Sequence, residues 1–395
     1  MSEVAELCAE LIRIRSDNPP GDTAEVIEYI SGYLDALGID GTIVRRRGGR
    51  CNLVAGDVRA PLLFCGHVDV VPAIPAGWKF GPYSGTADGG YIYGRGASDM
   101  KGGCAAILAA VHSVVDAGDE LPAALAFVCD EETGGNHGIA YLVKKQLIHP
   151  CDCLIAEPTP PRNVVVGQKG LCRIDMDFHG TPGHGSLYPR VGVSAVMEAF
   201  NLLGHLRTIH EREYPVPEDV RALVEVSSVV LEEVFGIEEI RTILRSVTFN
   251  PGRILGGEKA NIIAEHCRLE LDLRIPWGCT GAEIVAEIRA AAPRASLRIT
   301  DCSEPNCTPA DASIVVTTCR QIERVYGVDA VPIIQWAASD AKVLRAAGFN
   351  VVEYGPGEVT TLHGIDELVS VIALEAAAEV YCGIMCSYAS ASRPS

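Results

Sequence analysis

Positive charge is scarce in this sequence. Lys and Arg number 33 against 51 Asp and Glu, giving a formal net charge of −18 and a pI near 5.0. No basic cluster exceeds Arg45-Arg46-Arg47. A nucleic-acid partner requires a basic face, so none is expected; concentrated carboxylates suit a protein that holds cations. Also missing is an uninterrupted apolar run of the roughly 20 residues that cross a bilayer, so no membrane partner is expected. The chain opens on an acidic amphipathic segment, not on a basic stretch followed by an apolar block. No export signal is therefore expected, and the expected location is cytoplasmic. Nor do the 15 Cys show the paired spacing of a structural zinc site: Cys151 with Cys153, Cys302 with Cys307 and Cys382 with Cys386 all lack it. Most, like Cys65 and Cys129, sit inside apolar runs. A chain long enough for two cores needs no disulfide frame, and buried free thiols are expected.

What the sequence does contain is alternation. Apolar spacing predicts helices over 4–14 and 23–37, the second stopped by Gly38. Short strands over 41–44, 52–55 and 62–65 follow, then a β-like stretch over 91–95 and an Ala-rich helix over 103–115. Residues 123–129 form a continuous apolar run, as in a central strand buried on both faces. A helix over 138–146 and a strand over 153–156 complete an α/β layered pattern. The character changes after Gly167. Residues 173–178 alternate polar and apolar, as an antiparallel strand with one wet face does. A helix over 193–209, strands over 246–254 and 262–275, a helix over 283–291 and a strand over 296–300 give the order β-α-β-β-α-β of a ferredoxin-like unit. From Ala312 the helix–strand alternation resumes, through 314–325, 331–335, 340–347, 351–354 and 368–382, and 387–395 is expected to fray. The expected organisation is an α/β domain over 1–169 and 305–395, with an inserted α+β module over 170–304.

The stretch Pro61-Leu-Leu-Phe-Cys-Gly-His67-Val-Asp69 carries the first chemistry. If the backbone stays extended past the apolar run, His67 and Asp69 point to the same side. That suits a metal ligand and the carboxylate that fixes its tautomer. Asp99, the pair Glu131-Glu132, Glu157 and His363 likewise sit where loops leave predicted strands. In an α/β sheet, sites form outside the carboxyl ends of the strands, so these residues can converge. Taken singly each has a plainer reading: Asp99 as a helix cap, Glu131-Glu132 as a solvated strand end, Glu157 as a loop acid. Jointly they supply two His and three carboxylates with one carboxylate to spare. A set without thiolate suits two Zn²⁺, or Co²⁺ or Mn²⁺, with one carboxylate bridging; two His ligands argue against an all-oxygen Ca²⁺ cage. The spare acid is then the general base that deprotonates water and later protonates the leaving amine. Spacing does not choose between Glu131 and Glu132.

Five blocks share one resemblance: Gly66-His67-Val68-Asp69-Val70-Val71-Pro72; Gly94-Arg95-Gly96 through Asp99-Met100-Lys101-Gly102-Gly103; Asp130-Glu131-Glu132-Thr133-Gly134-Gly135; Ala156-Glu157-Pro158-Thr159; and Thr361-Leu362-His363-Gly364. In order, and over nearly the whole chain, they resemble the di-zinc family of succinyl-diaminopimelate desuccinylase, acetylornithine deacetylase and carboxypeptidase G. The resemblance implies a zinc-peptidase-like catalytic domain, a mixed central sheet flanked by helices, with an inserted α+β ferredoxin-like lid and dimerisation domain. It also implies that His67 and Glu157 hold one metal and Glu132 and His363 the other. Asp99 then bridges both, with a cis peptide after it, Asp69 supports His67, and Glu131 is the acid/base. Gly180-Thr181-Pro182-Gly183-His184-Gly185-Ser186 resembles the family's lid loop, whose His reaches the oxyanion across a homodimer interface. Asn261 and Arg274 align with substrate-binding positions, Arg274 as a clamp for a carboxylate. Ser339-Asp340-Ala341 and Glu353-Tyr354-Gly355-Pro356-Gly357 resemble the desuccinylase/deacetylase branch. The expected activity is hydrolysis of the amide of a small N-acyl amino acid: N-succinyl-L,L-diaminopimelate first, N-acetylornithine second, another acylated amino acid or a dipeptide after them. A non-catalytic metal-binding relative would lack a ligand or the base; none is lacking.

Overall fold

The structure, a computed structural model, describes residues 1–392 and divides into two units. The first comprises Met1–Val166, Cys307–Ile333 and the chain from Ser339 onward; the second comprises Gly167–Asn306 and the short segment Ile334–Ala338. The sequence assigned 305–395 to the first domain without a break, whereas Ile334–Ala338 groups with the second. There the Ser227 hydroxyl accepts the Ile334 amide proton at 2.8 Å, and Phe235 packs edge-on against Trp336.

In the first unit the strands Ala124–Val128, Leu62–His67, Asp152–Ile155 and Asn350–Glu353 lie side by side and parallel. Leu62-Leu63-Phe64-Cys65 and Ala124-Leu125-Ala126-Phe127-Val128 offer no polar side chain to water, so both faces must be covered. Antiparallel strands flank this block, Cys51–Gly56 and Gly41–Arg45 on one side and Asn163–Gln168 on the other, making the sheet mixed. The helices Glu3–Arg13, Lys101–Asp116 and Val371–Ser392 pack on one another, and Lys101–Asp116 lies on the Leu62–His67 strand. Its approach to the sheet is close: a Cβ on Gly103 would stand 2.1 Å from the Ala156 carbonyl oxygen, so only glycine fits. A second, small antiparallel sheet joins Thr86–Asp88, Tyr91–Tyr93 and Leu368–Ser370. It ties the segment just past His363 to the turn that leads to Asp99.

The second unit is a four-stranded antiparallel sheet of Thr248–Gly256, His266–Ile275, Gly170–His179 and Ala295–Ser303, in that spatial order. Alternate residues of its strands (Cys172, Ile174, Met176 and Phe178; Leu269, Leu271 and Leu273) point into one core. Helices Ala195–His210 and Gly281–Ala291 close that core with Ala199, Leu202, Leu206, Ile284 and Ile288. The topology is ferredoxin-like. A Thr280–Glu283 capping box starts the second helix.

Three elements differ from the sequence expectation. Helices Glu218–Phe235 and Ile240–Arg245 fill the stretch between 209 and 246, where the sequence predicts no element; Val220, Val224, Ser228 and Leu231 are buried at helical spacing among acids. The strand Asn163–Gln168 escapes notice behind the Pro158 to Pro161 segment. The last helix runs on to Ser392 instead of ending near Cys382; within it, Ser387 and Ser390 turn their hydroxyls onto the Gly383 and Cys386 carbonyls at 2.8 and 2.9 Å. Of the stretch expected to fray, 393–395 lies outside the described residues. By length and composition Val371–Ser390 could cross a membrane, unlike what the sequence reading found. Its Leu374, Ala377, Val380, Tyr381, Ile384 and Met385 are nonetheless buried in the core.

Candidate metal centre

The parallel strands deliver their following residues to one edge of the sheet. His67 ends its strand, Glu131 and Glu132 follow Ala124–Val128, and Glu157 follows Asp152–Ile155. His67 Nε2 lies 2.9 Å from Asp99 Oδ1 and 3.7 Å from Glu157 Oε1. His363 Nε2 lies 3.2 Å from Asp99 Oδ2 and 3.4 Å from Glu132 Oε2. The structure thus brings together two trios, His67–Asp99–Glu157 and Asp99–Glu132–His363, each with donor atoms within 4.8 Å of one another. Asp99 belongs to both, through different oxygens. The Asp99–Met100 peptide is cis.

His67 Nδ1 stands 2.9 Å from the backbone oxygen of Asp69. A carbonyl only accepts, so Nδ1 carries a proton; with a cation in the trio, Nε2 would turn its lone pair toward it. The sequence assigned this support to the Asp69 carboxylate, which is 3.6 Å away. That carboxylate is also engaged by other partners: it accepts from Asn18 Nδ2 at 2.9 Å and from the amides of Glu131 and Glu132 at 3.2 and 3.3 Å. Asp69 therefore pins the turn Glu131–Thr133 and faces His67 with both its main-chain oxygen, at 2.9 Å, and its carboxylate, at 3.6 Å. Asp130, at φ +63°, braces the same turn by accepting from the His137 and Gly138 amides at 2.9 and 2.7 Å.

The crowding shows in the acidities. Burial pulls the Asp99 carboxyl upward, but hydrogen bonds from His363 and His67 outweigh it and hold the group well below the usual carboxylate range. Burial pushes the Glu131 and Glu157 carboxyls well up, opposed only in part by His67. The Asp99 and Glu132 carboxylates raise His363 to about 10. So many acids gathered in one buried place are costly unless cations join them. Glu132 Oε1 is buried without a hydrogen-bond partner. Two trios of imidazole and carboxylate donors, without thiolate, sharing a carboxylate that offers one oxygen to each, fit two divalent ions.

The remaining expected residues belong to the second unit. His184 is exposed; its Nδ1 pairs with the Ser186 hydroxyl at 2.8 Å. Asn261 accepts the Gly185 amide proton on its backbone oxygen at 2.9 Å, next to that loop. Arg274 is engaged: Nε donates to Asp272 Oδ1 at 2.7 Å, and Arg173 shares the same carboxylate through Oδ2 at 3.1 Å. The sequence carried a signal for this, since residues two apart on a strand share a face. It carried little for four others. Asn18 joins Asp69 to Thr133 Oγ1. Asp340, seen only as part of a motif, is buried against Gly135, and burial above all pushes its carboxyl up to about 7. Arg95 and Glu367 bond the backbone around Asp99 and His363.

Comparison with known proteins decides the family. The sequence pattern of Peptidase family M20/M25/M40 matches residues 63–387. The chain belongs to this family. Among M20 relatives, a succinyl-diaminopimelate desuccinylase of Helicobacter hepaticus is 29% identical over 78% of this chain and 75% of its own length. An acetylornithine deacetylase of Vibrio vulnificus is 33% identical over 66% of this chain and 64% of its own. The fold matches that of an M20 family metallo-carboxypeptidase from Sulfolobus solfataricus, with a TM-score of 0.82 and 19% identity over 98% of this chain and 100% of that one. M20 membership and the named relatives make the chain a metal-dependent amidohydrolase.

Proposed function

We propose that this M20 enzyme hydrolyses N-succinyl-L,L-diaminopimelate, releasing succinate and the free amine, with two Zn²⁺ per chain that Co²⁺ or Mn²⁺ can replace. The observation that carries the reading is Asp99, which turns one oxygen toward His67 and the other toward His363. His67 and Glu157 would hold one ion, Glu132 and His363 the other, and Asp99 both. Such ions, when bound, polarise the scissile carbonyl and make water acidic enough to deprotonate near neutral pH. Glu131, half-buried and part of neither trio, takes the proton from the attacking water and returns it to the amide nitrogen as the C–N bond breaks. Asp69 holds Glu131 in reach by accepting its backbone amide.

The inserted unit completes the proposal. His184 donates to the carbonyl oxygen as it gains charge, and serves the site of the other subunit in a homodimer. The edge strand Thr248–Gly256 supports the dimer, since among the described residues it pairs only with His266–Ile275 and exposes Ile254 and Leu255; Met197 and Phe200 are exposed on helix Ala195–His210. Asn261 and Arg274 bind substrate. The acidic charge and the small-molecule chemistry fit a cytoplasmic enzyme with no nucleic-acid or membrane partner. A second reading, N-acetylornithine as substrate, is favoured by the Arg274–Asp272 pair, which leaves less positive charge free for a succinyl carboxylate. A hydrolysis panel of N-succinyl-L,L-diaminopimelate, N-acetylornithine, other N-acyl amino acids and dipeptides, each with Zn²⁺, Co²⁺ and Mn²⁺, tests the choice. The succinyl substrate is expected to give the highest kcat/KM; faster turnover of the acetyl substrate selects the second reading, and no hydrolysis of any of them refutes both.

A further inference from the structure

Beside Asp99 and His363 lies a buried ion pair that belongs to neither trio. Arg95 sits in the turn after the strand Tyr91–Tyr93, and Glu367 directly precedes Leu368–Ser370, which pairs with that strand. Arg95 is 4% exposed and Glu367 0%, and Arg95 Nη1 meets Glu367 Oε2. Among the described residues, every other hydrogen bond of these side chains goes to backbone. Glu367 Oε1 accepts the amide protons of Gly96, Ser98 and Asp99 at 3.1, 3.0 and 3.1 Å. Arg95 Nη2 donates to the carbonyl oxygens of His363 and Gly364, both at 3.1 Å. The Trp78 ring covers the guanidinium, 5.4 Å from its centroid.

The two partners act on different things. Glu367 fixes the amide of Asp99, whose side chain both trios share. Arg95 fixes the carbonyl of His363, which stands at φ +60°, a region non-glycine residues seldom occupy. Fixing that peptide fixes where the imidazole points. His67 and Glu157, by contrast, leave buried strands, and neither receives a hydrogen bond from Arg95 or Glu367 among the described residues.

We infer that Arg95 and Glu367 are a positioning pair for the centre, and that Arg95 secures the Asp99–Glu132–His363 trio while the His67–Asp99–Glu157 trio does not depend on it. The inference rests on the two-ion reading above. It is tested on the full chain, stripped with a chelator and titrated with Co²⁺, with binding followed by visible absorption and by metal analysis after equilibrium dialysis. The parent is expected to take two ions. Arg95→Met removes both carbonyl bonds. Arg95→Lys keeps a charge beside Glu367 without the planar fork, and serves if the Met variant does not fold. Both are expected to bind the first ion as the parent does and the second about 10–100-fold more weakly. Glu367→Gln, which reaches Asp99 directly, is expected to weaken both. Ile30→Ala empties a fully buried position in the remote helix Ala24–Ala36 and lowers Tm without touching either trio; it is expected to change neither ion. Equal weakening of both ions in the Arg95 variants, no weakening of either, or the same selective loss in Ile30→Ala overturns the inference alone. A parent that binds fewer than two ions overturns the two-ion reading, and the inference with it.

Discussion

Exchanging Glu131 for Gln, set against the same exchange at Glu132, separates proton transfer from metal binding at adjacent residues. The two amides are treated alike, both donated to the Asp69 carboxylate, so neither exchange disturbs how the turn is held. The side chains differ. Glu132 Oε2 is 3.4 Å from His363 Nε2 and belongs to a trio; Glu131 belongs to neither. Glu131→Gln is therefore expected to keep two ions per chain and lose turnover by about 10²–10⁴-fold, the usual contribution of a positioned acid/base. That loss corresponds to about 3–5 kcal/mol of barrier. Stability supplies an independent sign. Burial raises the folded-state affinity of Glu131 for its proton, so at neutral pH the ionised side chain opposes folding. The neutral amide removes that opposition, and chelator-treated Glu131→Gln is expected to melt no lower than the parent. Glu132→Gln is expected to lose one ion. The assay is kcat and KM on N-succinyl-L,L-diaminopimelate, with metal content and Tm measured on the same preparation. A Glu131→Gln enzyme that loses metal while Glu132→Gln keeps both ions reverses the two roles. One that retains turnover to within about tenfold removes Glu131 from proton transfer.

Three further outcomes follow from the packing and the proposed assembly. Lys169 is fully buried in the second unit and donates to the Ile243 and Ser246 carbonyls, both at 2.7 Å; burial foremost, with Arg274 adding, lowers it to about 7. Its proton is thus lost more readily in the folded state, and the cost of burying the charge is complete below about pH 7 and fades as pH climbs toward about 10.4, the free-lysine value. Urea titrations should show parent stability rising relative to Lys169→Met by up to about 1.4 kcal/mol per pH unit across that window; a flat difference contradicts the lowered value. Glu353 is fully buried, 3.6 Å from Arg345, and accepts the Ser339 hydroxyl proton. Arg345→Met should cost about 3–5 kcal/mol by stranding that carboxylate, and the double variant with Glu353→Leu should recover most of it; no recovery means the pair's charge is not the cause. Mixing a His184→Ala subunit with a Glu131→Gln subunit should restore part of the activity neither has alone, and a mixture as inactive as its parts argues against exchange of His184 between subunits.

Why some of this chain could be read in advance and some could not comes down to which atoms do the work. The buried parallel strands announce themselves because a strand covered on both faces has no use for polar side chains, and the residue that follows such a strand is held in place. His67, Glu131, Glu132 and Glu157 stand out for that reason, and Asp99 and His363 through the motifs around them. The helix Glu218–Phe235 stayed hidden because its buried positions are interrupted by serines and bordered by acids, so its apolar face is narrow. The further role of Asp69 is of another kind. Its carboxylate stands 3.6 Å from His67 Nδ1, its own backbone carbonyl stands nearer, and the same carboxylate also braces a turn formed 62 residues later, which no pattern of residue types reveals. Arg95 and Glu367 press the point further: separated by 272 residues, they act on amide and carbonyl groups that every position in the chain possesses. Side chains suited to hold ions have a chemical type and can be recognised by it. The groups that aim those side chains work through main-chain atoms, and a pattern of residue types cannot single them out until the fold has brought them together.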